Sequence, residues 1–124
     1  MKSLFAALGF SLLLVGSAAA ETPVKTVSTA AGDVLAGENG MTLYTYREDA
    51  AGVSNCYDKC ATNWPPAIAA GDAAAEGDFT LVERKDGAKQ WAKDGKPLYF
   101  WIKDSKEGDT TGDGVGGKWD IARP

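Results

Sequence analysis

The sequence predicts a mostly β fold, a small barrel or sandwich built from two tandem hairpin-rich repeats related by an approximate twofold axis. Three observations predict it. Residues 24–69 lie on residues 79–124 at a constant offset of 55 with no gap. The coincident pairs are Val27/Val82, Gly32/Gly87, Gly40/Gly95, Leu43/Leu98, Tyr44/Tyr99, Asp49/Asp104, Asp58/Asp113, Trp64/Trp119 and Ala67/Ala122, a selection of turn glycines, aromatic anchors and acids that marks a duplicated structural unit. Turn dipeptides punctuate each copy between short runs of strand composition. No long helical period follows the first 20 residues, so each half presents an apolar face that it can bury only against the other. Barrel closure and two packed sheets both satisfy this pattern.

Residues 1–20 have the make-up of a signal peptide: Lys2, an apolar stretch from Leu4 to Val15, and the small residues Ala18-Ala19-Ala20. The apolar stretch is shorter than the roughly 20 residues that span a bilayer. The expectation is cleavage before Glu21, no stable membrane anchor afterwards, and a single periplasmic or secreted domain over 21–124. Copy one then reads as a three-stranded meander over roughly 24–30, 33–38 and 41–48, and copy two over 79–85, 88–93 and 96–103. Asn39-Gly40 and Asp94-Gly95 each suit a two-residue hairpin with positive φ at its centre, and Asp86-Gly87 is a further turn signal. The connection Ala50 to Asn63 has room for a turn or two of helix, whereas Ser105 to Lys118, rich in Gly, Asp and Thr, is expected to be irregular. Each connection ends in a short closing segment led by Trp64 or Trp119. Residues 70–78 read as a surface linker with one helical turn at Ala73-Ala74-Ala75.

Composition removes whole classes of function. With 13 basic and 17 acidic residues, and a formal net charge of −4 spread without long runs, the chain lacks the basic face that nucleic acid requires. It contains no histidine, so Ser-His-Asp and Cys-His nucleophilic machinery, His-rich zinc and type-1 copper sites and His-ligated haem are all missing. Carboxylate, Lys or Tyr catalysis has no signature here, and the expectation is a non-enzymatic protein without a cofactor.

The densest signal is Leu43-Tyr44-Thr45-Tyr46-Arg47-Glu48-Asp49, answered by Leu98-Tyr99-Phe100-Trp101-Ile102-Lys103-Asp104. On strands, Tyr44 and Tyr46 share one face, as do Tyr99 and Trp101. Opposite them, Leu98, Phe100 and Ile102 predict a strand covered on both sides, while Leu43, Thr45 and Arg47 predict one with a side nearer water. The aromatics are either core or a paired surface for a ligand. Asp49 and Asp104 suit loop anchoring through backbone N–H groups; a catalytic pair would need both in one cleft, about 5–10 Å apart for a glycosidase.

Cys56 and Cys60, the only two cysteines, are expected to pair in an oxidising compartment and close a small loop, worth about 2 kcal/mol by chain entropy. A thiol-disulfide redox role is the sharper alternative, and reduced thiolates joined by Met41 would suit copper(I). Asp104, Glu107, Asp109 and Asp113 in the Gly-rich loop are candidate oxygen ligands for calcium, without the EF-hand order.

Tyr44-x-Tyr46-x-x-Asp49 and Tyr99-x-Trp101-x-x-Asp104 both follow a Gly-x-x-Leu-Tyr lead-in from Gly40 and Gly95. With Cys56-x-x-x-Cys60 running into Trp64-Pro65-Pro66, and Gly108-Asp109 through Gly112-Asp113-Gly114 to Trp119, they resemble the secreted repeat of unknown function of predicted bacterial lipoproteins. That resemblance covers nearly the whole of 21–124 and departs from the lipoprotein label in lacking a lipid-attachment cysteine. It implies a class without an activity. The function expected is an exported β module that binds a small ligand or envelope protein, or serves envelope upkeep; metal handling and thiol redox chemistry are the alternatives.

Overall fold

The computed structural model describes residues 23–124, so the expected signal peptide and cleavage point lie outside the described residues. Copy one contributes β1 (Val24–Thr29), β2 (Gly32–Gly37) and β3 (Tyr44–Tyr46), with α1 (Lys59–Asn63) in its connection. Copy two contributes β4 (Phe79–Glu83), β5 (Lys89–Lys93), β6 (Lys96–Pro97) and the closing strand β7 (Trp119–Ile121). Among the described residues the strands form three small sheets, β1-β2, β3-β7 and β4-β5-β6, and no closed barrel.

The two copies exchange their closing segments. β7 pairs with β3 of copy one, Tyr44 opposite Ile121 and Tyr46 opposite Trp119. Reciprocally, Pro66 of copy one pairs with Tyr99, and Ile68 with Gln90. Each exchange closes a ring of three backbone bonds. Leu35 N–H donates to Ala122 O (2.8 Å), Ala122 N–H to Leu43 O (2.9 Å) and Leu43 N–H to Leu35 O (2.9 Å). In copy two the ring runs from Trp91 to Ala67 (2.8 Å), Ala67 to Leu98 (2.9 Å) and Leu98 to Trp91 (2.9 Å). Buried backbone groups need partners, and here each half supplies the other's, which makes the pair one folding unit.

These rings correct the gapless register. Val27 pairs with Val34, but Val82 pairs with Gln90; Leu35 and Trp91 occupy equivalent places, at an offset of 56, whereas Leu43 and Leu98 return to 55. Copy two has one residue more in its first hairpin loop and one fewer in its second. Accordingly Lys93 and Lys96 flank a two-residue loop in which Asp94 (φ 52°) and Gly95 (φ 82°) both take positive φ. Gly37 and Met41 flank three residues, and there only Gly40 (φ 83°) does so. The Gly-ended three-residue loop is the other common hairpin solution.

The alternation expected along the tyrosine strands holds. Tyr44, Tyr99, Trp64, Trp119, Val34 and Ile121 build one core cluster; Leu43, Leu98, Leu35, Trp91, Ala67 and Ala122 build the second. Other expectations fail. The strand expected over 96–103 ends at Pro97, with Tyr99 adding isolated bridges, and β3 joins β7 instead of completing a three-stranded meander with β1 and β2. Ile102 is 51 % exposed, because the chain turns into its loop just after Trp101 and leaves the sheet. Ala73–Ala75 form no helical turn, as a three-alanine run has too few residues to offset the entropy of nucleating one.

Candidate functional site

The approximate dyad passes between Tyr44 and Tyr99, whose backbones exchange N–H···O bonds of 2.8 and 2.9 Å. Antiparallel pairing sends their side chains past each other, so each phenol reaches the acid of the opposite repeat. Tyr44 Oη donates to Asp104 Oδ2 at 2.6 Å, and Tyr99 Oη donates to Asp49 Oδ2 at 2.7 Å. The second oxygen of each carboxylate anchors its own loop, as expected. Asp49 Oδ1 accepts from Asn55 N–H at 2.7 Å, and Asp104 Oδ1 accepts from Thr111 N–H and Oγ1 at 2.9 and 2.6 Å. Burial first, then the carboxylate bond, pushes the Tyr44 phenol far above its ordinary range. Tyr99 is raised by burial and by Asp49, against the opposing effect of Ser54. Both phenols are fixed donors, not bases. Burial also raises Asp49, although the bonds from Asn55 and Tyr99 and the charge of Arg84 pull it down.

The remaining motif aromatics stack across the same axis. Trp101, Trp64, Trp119 and Tyr46 form a continuous column, with ring centroids 4.0, 3.7 and 4.3 Å apart, and the repeat mates Trp64 and Trp119 are its centre. Tyr44 meets Trp64 edge-on at 5.4 Å and Tyr99 meets Trp119 edge-on at 5.2 Å, arrangements that suit the ring quadrupoles. Gly112 lies against this column: a Cβ there would meet Trp64 and Tyr44 at 2.9 Å. Of the motif residues, Tyr44 and Tyr99 are core, whereas Tyr46 and Trp101 are half-buried, and Tyr46 and Asp49 line a further cleft of about 270 Å³.

Cys56 and Cys60 are disulfide-bonded, and there is no free cysteine among the described residues. The copper(I) arrangement with Met41 would need those two thiolates, and the disulfide occupies both. The loop they close is gripped by a residue the sequence reading missed. Arg84, buried, donates to Ser54 Oγ (3.0 Å), Gln90 Oε1 (2.7 Å) and Cys56 O (2.7 Å), and lies 4.3 Å from the Tyr57 ring centroid. Ser54 Oγ in turn lies 2.6 Å from Tyr99 Oη. Because the Tyr99 proton goes to Asp49, Ser54 is the donor in that contact. A polarised chain therefore runs from Arg84 through Ser54 and Tyr99 to Asp49.

The acidic loop of copy two disperses its carboxylates. Asp109 Oδ2 accepts from Ser105 N–H and Oγ and Lys106 N–H, and its Oδ1 from Lys106 Nζ. Those donors, the Ser105 amide foremost, hold Asp109 down at about 2. Asp113 accepts from Ile121 N–H, Glu107 reaches towards Lys25 at 4.0 Å, and Asp104 is spent on Tyr44 and Thr111. Among the described residues no group of three or more such side chains converges as a metal site. This corrects the calcium candidate: sequence spacing placed the acids in one loop, but loop turns aim them apart.

Two clefts flank the dyad and are related by it. The first, about 240 Å³, is lined by Pro23, Val24, Leu43, Ala67, Ile68, Trp91, Phe100 and the Gly37–Asn39 turn, with Glu38 its one charged residue among the described residues. The second, about 310 Å³, places Leu98, Ala122, Arg123 and Thr45 where the first has Leu43, Ala67, Ile68 and Phe100, and adds Lys93, Asp94, Lys96 and Asp120. Trp91 is 2 % exposed, and its indole Nε1–H has no hydrogen-bond partner among the described residues. Its equivalent in the other copy, Leu35, has no such group to satisfy. Ile68, at the rim, is 53 % exposed. Leu43, Ala67, Leu98 and Ala122 are repeat mates, but Trp91 and Ile68 are not matched by theirs; that departure was the available signal, and the gapless register hid it by setting Trp91 against Ala36.

Fold and site together define a tandem-duplicated β module, closed by strand exchange and by crossed Tyr–Asp bonds. The chain belongs to the family described as a secreted repeat of unknown function, whose model matches residues 25–68 and 80–123. Those two matches coincide with the two copies. No curated protein and no solved structure matches the chain.

Proposed function

We propose that this is an exported, non-enzymatic binding module, acting in the periplasm after loss of its leader, whose ligand site is the apolar cleft beside Trp91. One observation carries the reading. Of two clefts related by the dyad, one has kept a lining with a single charged residue among the described residues, while the other carries Lys93, Asp94, Lys96, Asp120 and Arg123. Small-molecule sites are concave and mostly apolar with a few placed polar groups, and the first cleft has that character. The way the conspicuous acids are used supports reading the module as non-enzymatic. Asp49 and Asp104 are each bonded to a phenol and a loop amide, which supports a structural role for both.

The test is a titration of ¹⁵N-labelled protein with acetophenone. Saturable shifts at Ile68, Phe100 and Trp91, lost in Ile68→Asp, are expected. Non-saturating shifts, or binding indifferent to Ile68→Asp, overturn the proposal. Ile68 is half exposed, so the substitution leaves the core intact.

A further inference from the structure

We infer that the polar cleft across the dyad is a second binding site, part of a trough for a short neutral oligosaccharide. The trough stands independently of the apolar cleft. Two concavities make it: the cleft of about 310 Å³ and the neighbouring one of about 270 Å³ are both lined by Thr45, Asp94, Lys96 and Asp120. Each exceeds the roughly 150 Å³ that holds a benzene ring, so together they suit a chain of more than one sugar ring. Neither is lined by any residue before Thr45.

The floor is one face of the β3–β7 ribbon. Thr45 lies opposite Asp120 in its register, and cross-strand partners point to the same side. Their chain neighbours Tyr44 and Ile121 point to the other side, into the core. One wall is the β5–β6 turn with Asp94 and Lys96, and the other is the Ala50–Ala51 loop, tied to that turn by the Gly52 N–H bond to Gly95 O of 2.8 Å. The polar side chains are within reach of a ligand: Asp94 keeps 60 % and Asp120 41 % of its surface. Across the dyad, Thr45, Lys96, Asp120 and Arg123 are answered by Phe100, Met41, Pro65 and Ile68. The shared backbone plan therefore does not require this polarity.

Hydroxyl recognition follows from how the charges are used. Arg47 gives Asp120 two bonds of 2.8 Å, and Lys93 gives Asp94 one of 3.1 Å. Arg123 turns Nη1 to the Ala31 and Asp33 carbonyls. A carboxylate offers about four acceptor sites and an ammonium three donors, so each ion pair keeps free acceptors and donors while its charges offset one another. Lys96, exposed where the two concavities meet, is a further donor. An ionic ligand gains little from paired charges, whereas a hydroxyl, which donates one bond and accepts two, uses both kinds of group. Tyr46, Pro97, Leu98 and Ile121 set apolar surface among them, as the C–H faces of a sugar ring require. An extended peptide is disfavoured, since strand addition needs a free edge and on this floor β3 and β7 spend their facing backbone groups on each other.

The test titrates cellotriose, maltotriose and triacetylchitotriose into ¹⁵N-labelled protein, with trilysine, trialanine and hexanoate as comparisons. At least one trisaccharide is expected to give saturable shifts at Thr45, Lys96 and Asp120. Its dissociation constant should change less than about twofold between about 0.02 and 0.2 M salt, as for an uncharged ligand. Lys96→Ala and Asp94→Asn alter exposed side chains, and asparagine tolerates the positive φ of Asp94; each is expected to weaken binding about tenfold. Thr45→Phe, which restores the residue type of the dyad mate, fills the floor and should abolish saturation, while Ile68→Asp should leave it unchanged. No saturation by any trisaccharide, tighter binding of a comparison compound, a steeper salt dependence, or indifference to either Lys96→Ala or Asp94→Asn overturns the trough. Should Thr45→Phe not fold, those two exposed variants decide the matter. Acetophenone binding at Ile68 is read at other residues, so each site can fail without the other.

Discussion

The two connections solve one problem with different means. Each must close over a tyrosine that crosses from the other repeat. In copy one the connection is tied by the Cys56–Cys60 disulfide and by buried Arg84, which arrives from copy two and bonds Ser54, Gln90 and the Cys56 carbonyl. In copy two, the equivalent stretch relies on short-range oxygen bonds: Thr111 to Asp104, and Ser105 and Lys106 to Asp109. Arg84 has no cationic counterpart, since the matching residue in copy one is Thr29. Duplication fixes a backbone plan but leaves the polar solution of each loop free, provided that every buried group is answered.

The hardest way to break this comparison is Arg84→Met. It deletes one cation and leaves Ser54, Gln90 Oε1 and Cys56 O short of donors in a buried site. The expected loss is about 3–5 kcal/mol, read from urea unfolding, with hydrogen exchange rising first in 54–63 rather than in 105–118. A loss within about 1 kcal/mol would mean that the disulfide alone holds the connection.

Removing the crossed phenols one at a time is a smaller test. Tyr44→Phe and Tyr99→Phe each take one donor from a carboxylate, for about 1.5–3 kcal/mol each, as for hydrogen bonds to charged groups. Tyr99→Phe is expected to be the worse of the two: it removes the 2.6 Å bond from Ser54 and cuts the link to Asp49, whereas Tyr44→Phe frees only a longer 3.2 Å bond from the Gly112 N–H. Asp104 keeps both of its bonds from Thr111 when Tyr44 is replaced. Equal losses in the two variants would show that the Arg84 chain acts independently of Tyr99.

The smallest effect is on pH dependence, and it has opposite signs in the two loops. Asp109 lies below its unfolded value, so its contribution is complete above about pH 4 and disappears as pH falls towards about 2. Asp49 lies above its unfolded value, so folding is favoured relative to neutral pH while it is protonated, and that advantage is lost as pH rises past the unfolded carboxyl range. Asp109→Asn should therefore flatten the acid limb of a stability–pH curve between about pH 4 and 2. An acid limb as steep in Asp109→Asn as in wild type would assign it to other carboxylates, Asp120 beside Arg47 being next in line.

Much of this molecule was legible in local pattern. The first hairpin of each copy, the opposite faces of Tyr44 and Leu43, the shared face of Tyr99 and Trp101, and the loop-anchoring use of Asp49 follow from a period of two and from turn chemistry, whereas the strands expected over 41–48 and 96–103 shrink to Tyr44–Tyr46 and Lys96–Pro97. The cysteine pairing followed from a four-residue spacing. What escaped was non-local. The acidic loop looked like a ligand set because spacing says nothing about where loop carboxylates point. Arg84 went unread, because two of its three acceptors, Cys56 O and Ser54 Oγ, lie 28 and 30 residues away in the other repeat.

The sequence by itself determined that there are two copies, that they are β, and that tyrosine and aspartate recur at a fixed interval in each, since repetition and alternation are properties of neighbours along the chain. Only the tertiary structure decided that each tyrosine serves the other copy's aspartate, across 60 and 50 residues. It also decided that the register slips by one between the hairpins, and that one cleft stays apolar with an unanswered indole N–H. Those outcomes depend on which backbone groups find partners once two halves close about an axis, and that competition is settled by packing in space rather than by order in the chain.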